Sequence, residues 1–301
     1  MKKIKSITGY TSLIADDGTE FNPYKSSYRE FNPAEELIKD ITFTTEGEIE
    51  TASGYRFDES GHLTEELHYL NDTEVAEKLT FKYTPDGELK ETETTYSDGS
   101  KSIQTRIRHG HELFIKTFDE DNQSEGEEIQ RFDSKGNLLE RVVFDEDKTI
   151  QQKFVYEYDE KGLVKSITEF GEKETFIIKK NFVYNAAGDP VKELHYSERG
   201  TLVITIVSEY NDRGTLVLQR SGNSLLTQLS YNEKDQIVRE ETIDLSGDTV
   251  VAFKIHTYNE NGLTEETISY DMGQAFQLEP GLYARSTSQR FKTSYSYEFY
   301  E

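Results

Sequence analysis

Apolar and polar residues alternate in short runs along most of this chain, and each run stops at an aromatic ring followed by a polar turn. Residues 154–170, FVYEYDEKGLVKSITEF, show the unit. Phe154, Tyr156 and Tyr158 alternate with Val155 and Glu157, the period of two that marks a strand. Asp-Glu-Lys-Gly then supplies turn chemistry. Asp159 can accept from nearby amides, and Gly162 can take a positive φ without a Cβ clash. Val164, Ser166, Thr168 and Phe170 read as one face of a second strand. The unit predicts a β-hairpin.

The unit recurs. Gly61 and Gly87 stand 26 residues apart, and Gly110, Gly136, Gly162, Gly188 and Gly214 keep the same step. An aromatic ring lies four residues before a turn glycine at Phe43, Phe57, Tyr83, Phe132, Tyr158, Tyr184, Tyr210 and Tyr258. Tyr231 keeps the phase with Asp235 in the glycine's place. A second ring follows eight residues after the glycine, at Tyr69, Phe118, Phe144, Phe170, Tyr196 and Tyr270, and then a second polar turn. A fixed period of this length means one supersecondary unit repeated.

Hairpins joined by short connections build an antiparallel meander. Nine or ten units give roughly 18–20 strands, a sheet about 90 Å across, which must coil or curl. With rings mainly on one face, the expectation is an all-β, curved or superhelical meander sheet, or a partial shell. The pattern implies curvature and does not imply closure. Residues 43–270 form the repeat array, 1–42 an N-terminal cap and 271–301 a C-terminal loop with a closing strand, all one continuous domain. Asn32-Pro33-Ala34-Glu35 has the chemistry of a helix start and predicts a short helix over 33–39. Residues 271–286 break the rhythm at the Pro280-Gly281 turn pair, before FKTSYSYEFY alternates again.

Composition sharpens this picture. Apolar residues are 34% of 301, carried by 19 Tyr and 17 Phe, with neither Trp nor Cys. Rings suit a pleated, half-buried surface, and the lack of cysteine excludes disulfides and thiolate metal sites. The net charge is −24, from 58 acids against 34 bases. That repels nucleic acid and anionic membranes and reads either as a docking surface for a basic partner or as a solubilising coat. No apolar run is long enough to span a bilayer. The opening, MKKIKSITGYTSLIADDG, shows no signal-peptide core, so cytoplasmic residence is expected, a leader already removed being the alternative.

The motif YxYDxxGxL, seen as YEYDEKGLV, SEYNDRGTLV, HTYNENGLT and GYRFDESGHL, resembles the YD repeat of bacterial Rhs proteins and animal teneurins over roughly residues 43–270. In that family the hairpins spiral into a hollow shell around cargo. Here the period is longer and the array far shorter, and the proline- and aspartate-containing segment that ends Rhs cages is absent. The resemblance implies a hairpin-repeat scaffold from an interbacterial competition locus. It does not imply encapsulation or self-cleavage.

Candidate chemistry is sparse. His68 and His195 occupy one repeat position, in ELHYLN and ELHYSE, which makes them equivalent residues of different units rather than ligands of one ion. His109 and His111 flank Gly110 without a third fixed ligand. In FDEDNQSEGEEIQ, Ser124 and Gln130 stand where a calcium loop needs glycine and glutamate, so a solvated acidic loop is expected. No catalytic, nucleotide or metal motif appears, and no enzyme activity or cofactor is expected. The expected function is a non-catalytic protein-binding scaffold, such as an immunity, inhibitor or adaptor protein of an interbacterial competition or secretion system. Acidic turns would steer a basic protein, and Tyr295, Tyr297, Phe299 and Tyr300 would anchor it, because a terminal unit lacks a neighbour on one side. The alternative is carbohydrate or cell-envelope binding through exposed rings.

Overall fold

The computed structural model describes residues 2–15, 17–71, 73–272, 275–279, 282–285 and 289–301, and the Pro280-Gly281 pair lies outside them. The chain is all-β, with one 3-10 turn at Glu172–Glu174 among the described residues. It opens with β1 (Ile4–Ile14), β2 (Glu20–Phe31), β3 (Leu37–Phe43) and β4 (Ile49–Phe57). Next come β5 (Leu63–Tyr69), β6 (Val75–Tyr83), β7 (Leu89–Tyr96), β8 (Lys101–His109), β9 (Glu112–Asp119) and β10 (Ser124–Phe132). They are followed by β11 (Leu138–Phe144), β12 (Ile150–Tyr158), β13 (Val164–Phe170), β14 (Phe176–Tyr184), β15 (Pro190–Tyr196) and β16 (Leu202–Tyr210). The last stretch holds β17 (Leu216–Ser221), β18 (Leu225–Tyr231), β19 (Ile237–Asp244), β20 (Thr249–Tyr258) and β21 (Thr264–Asp271). β22 (Ala275–Glu279) and β23 (Leu282–Arg285) pair as a separate ladder before β24 (Gln289–Phe299).

Two compact units share these strands, Met1–Ala52 with Ile206–Glu301, and Ser53–Thr205. No loop marks either boundary, since one falls inside β4 and the other inside β16. Within Ser53–Thr205, β5 to β15 pair antiparallel in chain order. In the other unit β16 to β21 do the same. There β21 then pairs with β24, β24 with β1, β1 with β2 and β2 with β3. All belong to one sheet of 22 strands.

The expected open, superhelical meander or partial shell is therefore corrected. The first strand pairs with the last, Tyr295 opposite Gly9 and Tyr297 opposite Ile7, so the array lacks the two free end strands that an open meander or partial shell requires. An open ladder would leave a row of unpaired backbone groups at each end, and pairing β1 with β24 removes both.

The helix expected over 33–39 is corrected too. Residues 32–36 form a hairpin turn, and β3 begins at Leu37. The Asn32 Oδ1 accepts from the Ala34 and Glu36 amides at 2.9 and 3.1 Å. A helix N-cap and an Asx turn offer the same side-chain oxygen to the same kind of amide. The period-two pattern that follows, LIKDITF, decides for strand.

Nearly every other turn repeats this geometry. Asp159 accepts from the Lys161 and Leu163 amides at 2.9 Å each, and Asn211, Asn232 and Asn259 cap their turns likewise. The fourth turn residue has positive φ: +83° at Gly162, but also 61° at Lys148 and 59° at Asp235. An L-residue there carries a left-handed penalty that glycine escapes, partly offset by glycine's greater freedom when unfolded. Lys148→Gly should thus stabilise the protein by about 0.5–1 kcal/mol, read as a higher urea midpoint. A lower midpoint would contradict this account of the turn.

Most of these turns also carry a bulge at the ring that precedes them, as between Glu157 and Tyr158 or Val183 and Tyr184. The extra residue shifts the alternation, so the expectation of rings mainly on one face fails. Phe154 opposes Glu169 whereas Phe170 opposes Lys153, and the two rings point to opposite faces. Few described side chains are buried: Ile41, Ala52, Val142 and Leu226 among apolar residues, and Ser6, Thr11, Ser12, Thr92, Ser166, His195 and Ser208 among polar ones. The apolar surface is instead half-covered along the strands, as the thin composition requires.

Candidate protein-binding surface

The four expected anchor rings do not form a bare terminal patch. β24 has neighbours on both edges, so the premise of an unpaired last unit fails. Tyr295, Tyr297, Phe299 and Tyr300 are all half-buried. The Tyr297 hydroxyl donates to the Thr264 carbonyl at 2.6 Å, and that of Tyr300 to Phe31 at 2.6 Å. Burial raises the Tyr297 phenol above its ordinary pKa. Two of the four rings are thereby tied into the sheet.

Charge is distributed unevenly between strands and turns. On one face of Ser53–Thr205, cations meet acids across neighbouring strands: Lys82 with Glu91 at 2.6 Å, Lys116 with Glu127 at 3.4 Å and Arg131 with Glu112 at 2.8 Å. Arg131 also meets Glu140, which Lys153 reaches at 3.1 Å. The opposite face holds a second network. There Arg141 donates to both Glu128 oxygens at 2.8 and 2.7 Å, and Gln130 adds a third bond at 2.6 Å. Burial opposes ionisation of Glu128, yet these bonds prevail and hold its carboxyl below the usual range. Arg106 reaches Thr92 and Gln104 beside it, and burial lowers its pKa. Charges thus occur on both faces of these strands, whereas a lipid-facing strand set keeps one face apolar. No helix among the described residues is long and apolar enough to cross a membrane.

The turns are different. Residues 119–123 carry three acids and no base, and 145–149 three acids and one lysine. Asp119 and Asp145 spend a carboxylate oxygen capping the Gln123 and Thr149 amides at 2.7 and 2.8 Å. Glu120, Asp121, Glu146 and Asp147 are exposed and, among the described residues, hold no ion pair or hydrogen bond. Acids and bases nearly balance within the strands, so the excess negative charge sits at the strand ends. Successive turns at one end of the strands are about 10 Å apart, two strand spacings, close to a Debye length at physiological salt, so their fields add.

Capping also fixes how the turns titrate. Hydrogen bonds from Asn137 hold the Asp133 carboxyl below its ordinary pKa, and the His62 amide does the same to Asp58. A depressed folded-state pKa stabilises fully above the unfolded value, near 4, and that contribution is lost as pH falls through the lower folded value. The urea midpoint should therefore fall below about pH 4. Asp58→Asn with Asp133→Asn, which keeps the capping oxygen, should fall less steeply. Superimposable pH profiles would refute the linkage.

The other residues singled out in the sequence have structural partners. His68 pairs with Glu66 at 3.3 Å and His195 with Glu193 at 2.5 Å, the same acid two residues earlier. His109 packs edge-on to Phe114 at 5.9 Å. The calcium-like stretch is the β9–β10 turn, with Asn122 at φ 60°. No group of three or more metal-ligating side chains exists among the described residues.

Residues 107–241 match a family of uncharacterised proteins. No curated protein matches the chain. Among solved structures it is similar to the TcdB2-TccC3-TEV crystal structure, at 12% identity over 90% of this chain and a TM-score of 0.42. It is similar to the Photorhabdus luminescens Tc holotoxin pore at 12% identity, again over 90% of this chain, and a TM-score of 0.41. The chain spans 18% of the length of both. A porin-like protein from Bacteroides uniformis is 10% identical, with 98% of each chain covered and a TM-score of 0.29.

Proposed function

We propose that this chain is a non-catalytic scaffold that binds a basic protein through its acidic turns, in the manner of an immunity, inhibitor or adaptor protein of an interbacterial competition or secretion system. The YD-repeat resemblance supports that setting. The observation that carries the reading is the separation of charge. Lys82, Lys116 and Arg131 are paired with acids on neighbouring strands, while Glu120, Asp121, Glu146 and Asp147 stay exposed and unpaired at one end of β9 to β12. Such a surface steers a cationic partner and speeds its encounter, and salt weakens it.

The test compares two neutralised variants in capture from native lysate at low and high salt. Changing Glu120, Asp121, Glu146 and Asp147 to their amides should abolish stoichiometric capture of a basic protein. Lys82→Met with Glu91→Met, which removes a strand pair at no change in net charge, should leave it intact. Capture that survives the turn variant, or ignores salt, would overturn the proposal.

A further inference from the structure

We propose a second, separate site: a small-molecule site on β19, β20, β21 and β24 that takes a zwitterion of the α-amino-acid class with an apolar side chain. A cavity of about 300 Å³ lies on one face of these strands, at the lower end of the range for ligand sites. Register explains why it exists. Glu240 opposes Lys254, Lys254 opposes Ser269, and Ser269 opposes Phe291. Two residues along, Thr242 opposes Ala252 and Ala252 opposes Asp271. Ala252 and Ser269 are small side chains ringed by larger ones, so the sheet is dented where they meet.

The floor is stiff. On the reverse face Phe253 and Tyr270 stack with centroids 5.3 Å apart, capped by the guanidinium of Arg239 at 5.4 Å and of Arg290 at 5.6 Å. Such ring and cation–π stacks hold a fixed geometry.

The charges at this dent differ from those elsewhere on the strands. Directly opposed Lys82 and Glu91, or Lys116 and Glu127, close into ion pairs. Glu240 and Lys254 are opposed in the same way, yet among the described residues neither side chain is held in an ion pair or hydrogen bond. An ammonium on Glu240 and a carboxylate on Lys254, with the Ser269 hydroxyl as a further donor, would satisfy both at once. Ala252 and Phe291 leave room and contact for an apolar side chain. The Asp271 carboxylate at the far corner disfavours an acidic one.

Calorimetric titration of the full chain with L-phenylalanine and L-leucine tests this, with N-acetylphenylalanine and phenylalaninamide as ligands that each lack one charge. Saturable binding is expected for the free amino acids, about tenfold weaker when either charge is removed. Glu240→Gln and Lys254→Met should each weaken it about tenfold, Ala252→Leu should fill the dent and abolish it, and Lys82→Met should change nothing. If Ala252→Leu melts early, the two charge variants decide. No saturation by any free amino acid up to about 10 mM, equal binding of the capped forms, or wild-type affinity in the charge variants would overturn the assignment. The acidic-turn variant tests the scaffold function independently, because it leaves this cavity untouched.

Discussion

Thr293→Pro is expected to destabilise the protein by about 3 kcal/mol or more. Thr293 lies in β24 opposite Thr11 of β1 on one side and Thr267 of β21 on the other. With a neighbour on each edge, its amide is used in one ladder or the other, and proline removes that donor from a central strand. The Thr293 hydroxyl also shares a hydrogen bond with Thr11 at 2.9 Å, which proline cannot replace. The magnitude marks β24 as an interior strand, because an edge strand accepts proline where its amide faces solvent. Glu160→Pro is the control. It falls at the turn position that proline already occupies at Pro33 and Pro85, where the fixed φ fits, and should stay within about 0.5 kcal/mol of wild type. Urea unfolding of both variants gives the answer. A Thr293→Pro midpoint no lower than that of Glu160→Pro would mean that β24 is not locked between β21 and, across the seam, β1.

That seam was the part of the fold least visible in the sequence. Turns and strands were legible because their causes are local: a capping Asp or Asn, a glycine at positive φ and a period of two. Tyr231 with Asp235 kept the phase even without glycine, and the structure gives Asp235 the φ of 59° that the position requires. Closure depends instead on register between Ile4–Ile14 and Gln289–Phe299, segments from opposite ends of the chain whose alternation would suit any antiparallel partner. The helix was misread because Asn32 offers one hydrogen-bonding pattern to two structures. The faces were misread because each bulge moves the alternation by one residue, and nothing in FVYEYDEKGLVKSITEF marks the extra residue. In the candidate surface, the acidic turns were legible as composition, but their separation from paired strand acids needed register. The dent was not legible at all, since Ala252 and Ser269 become diagonal neighbours only in the register of β20 with β21.

The repeat tyrosines hid a further function in their hydroxyls, and replacing three of them should cost far more than one lost surface contact. As rings they were read as apolar surface, for which Phe would serve as well. The structure gives each hydroxyl a fixed acceptor: Tyr83 donates to Leu63 at 2.8 Å, Tyr158 to Leu138 at 2.8 Å and Tyr184 to Val164 at 2.7 Å. In every case the acceptor is the second residue after the glycine of an earlier hairpin. The same bond recurs from Tyr231 to Leu216 and from Tyr258 to Ile237. One hairpin thus satisfies a backbone carbonyl of another, which helps explain why the ring's position is kept so strictly in phase with the turn. Tyr83→Phe, Tyr158→Phe and Tyr184→Phe each remove one hydrogen bond and leave a part-buried carbonyl short of a donor, at about 1 kcal/mol apiece. Tyr158 and Tyr184 lie two strands apart, near the separation at which effects become additive, so the triple variant should lose about 3 kcal/mol in urea unfolding. Far-ultraviolet circular dichroism should not change, because ring packing and the strand ladders remain. Phe132 occupies the same repeat position without a hydroxyl, and Phe132→Asn, which removes the ring itself, serves as the contrast in which packing is lost. A triple variant as stable as wild type would show that the rings matter only as apolar surface and that hydroxyl bonds between hairpins contribute nothing to holding the array together.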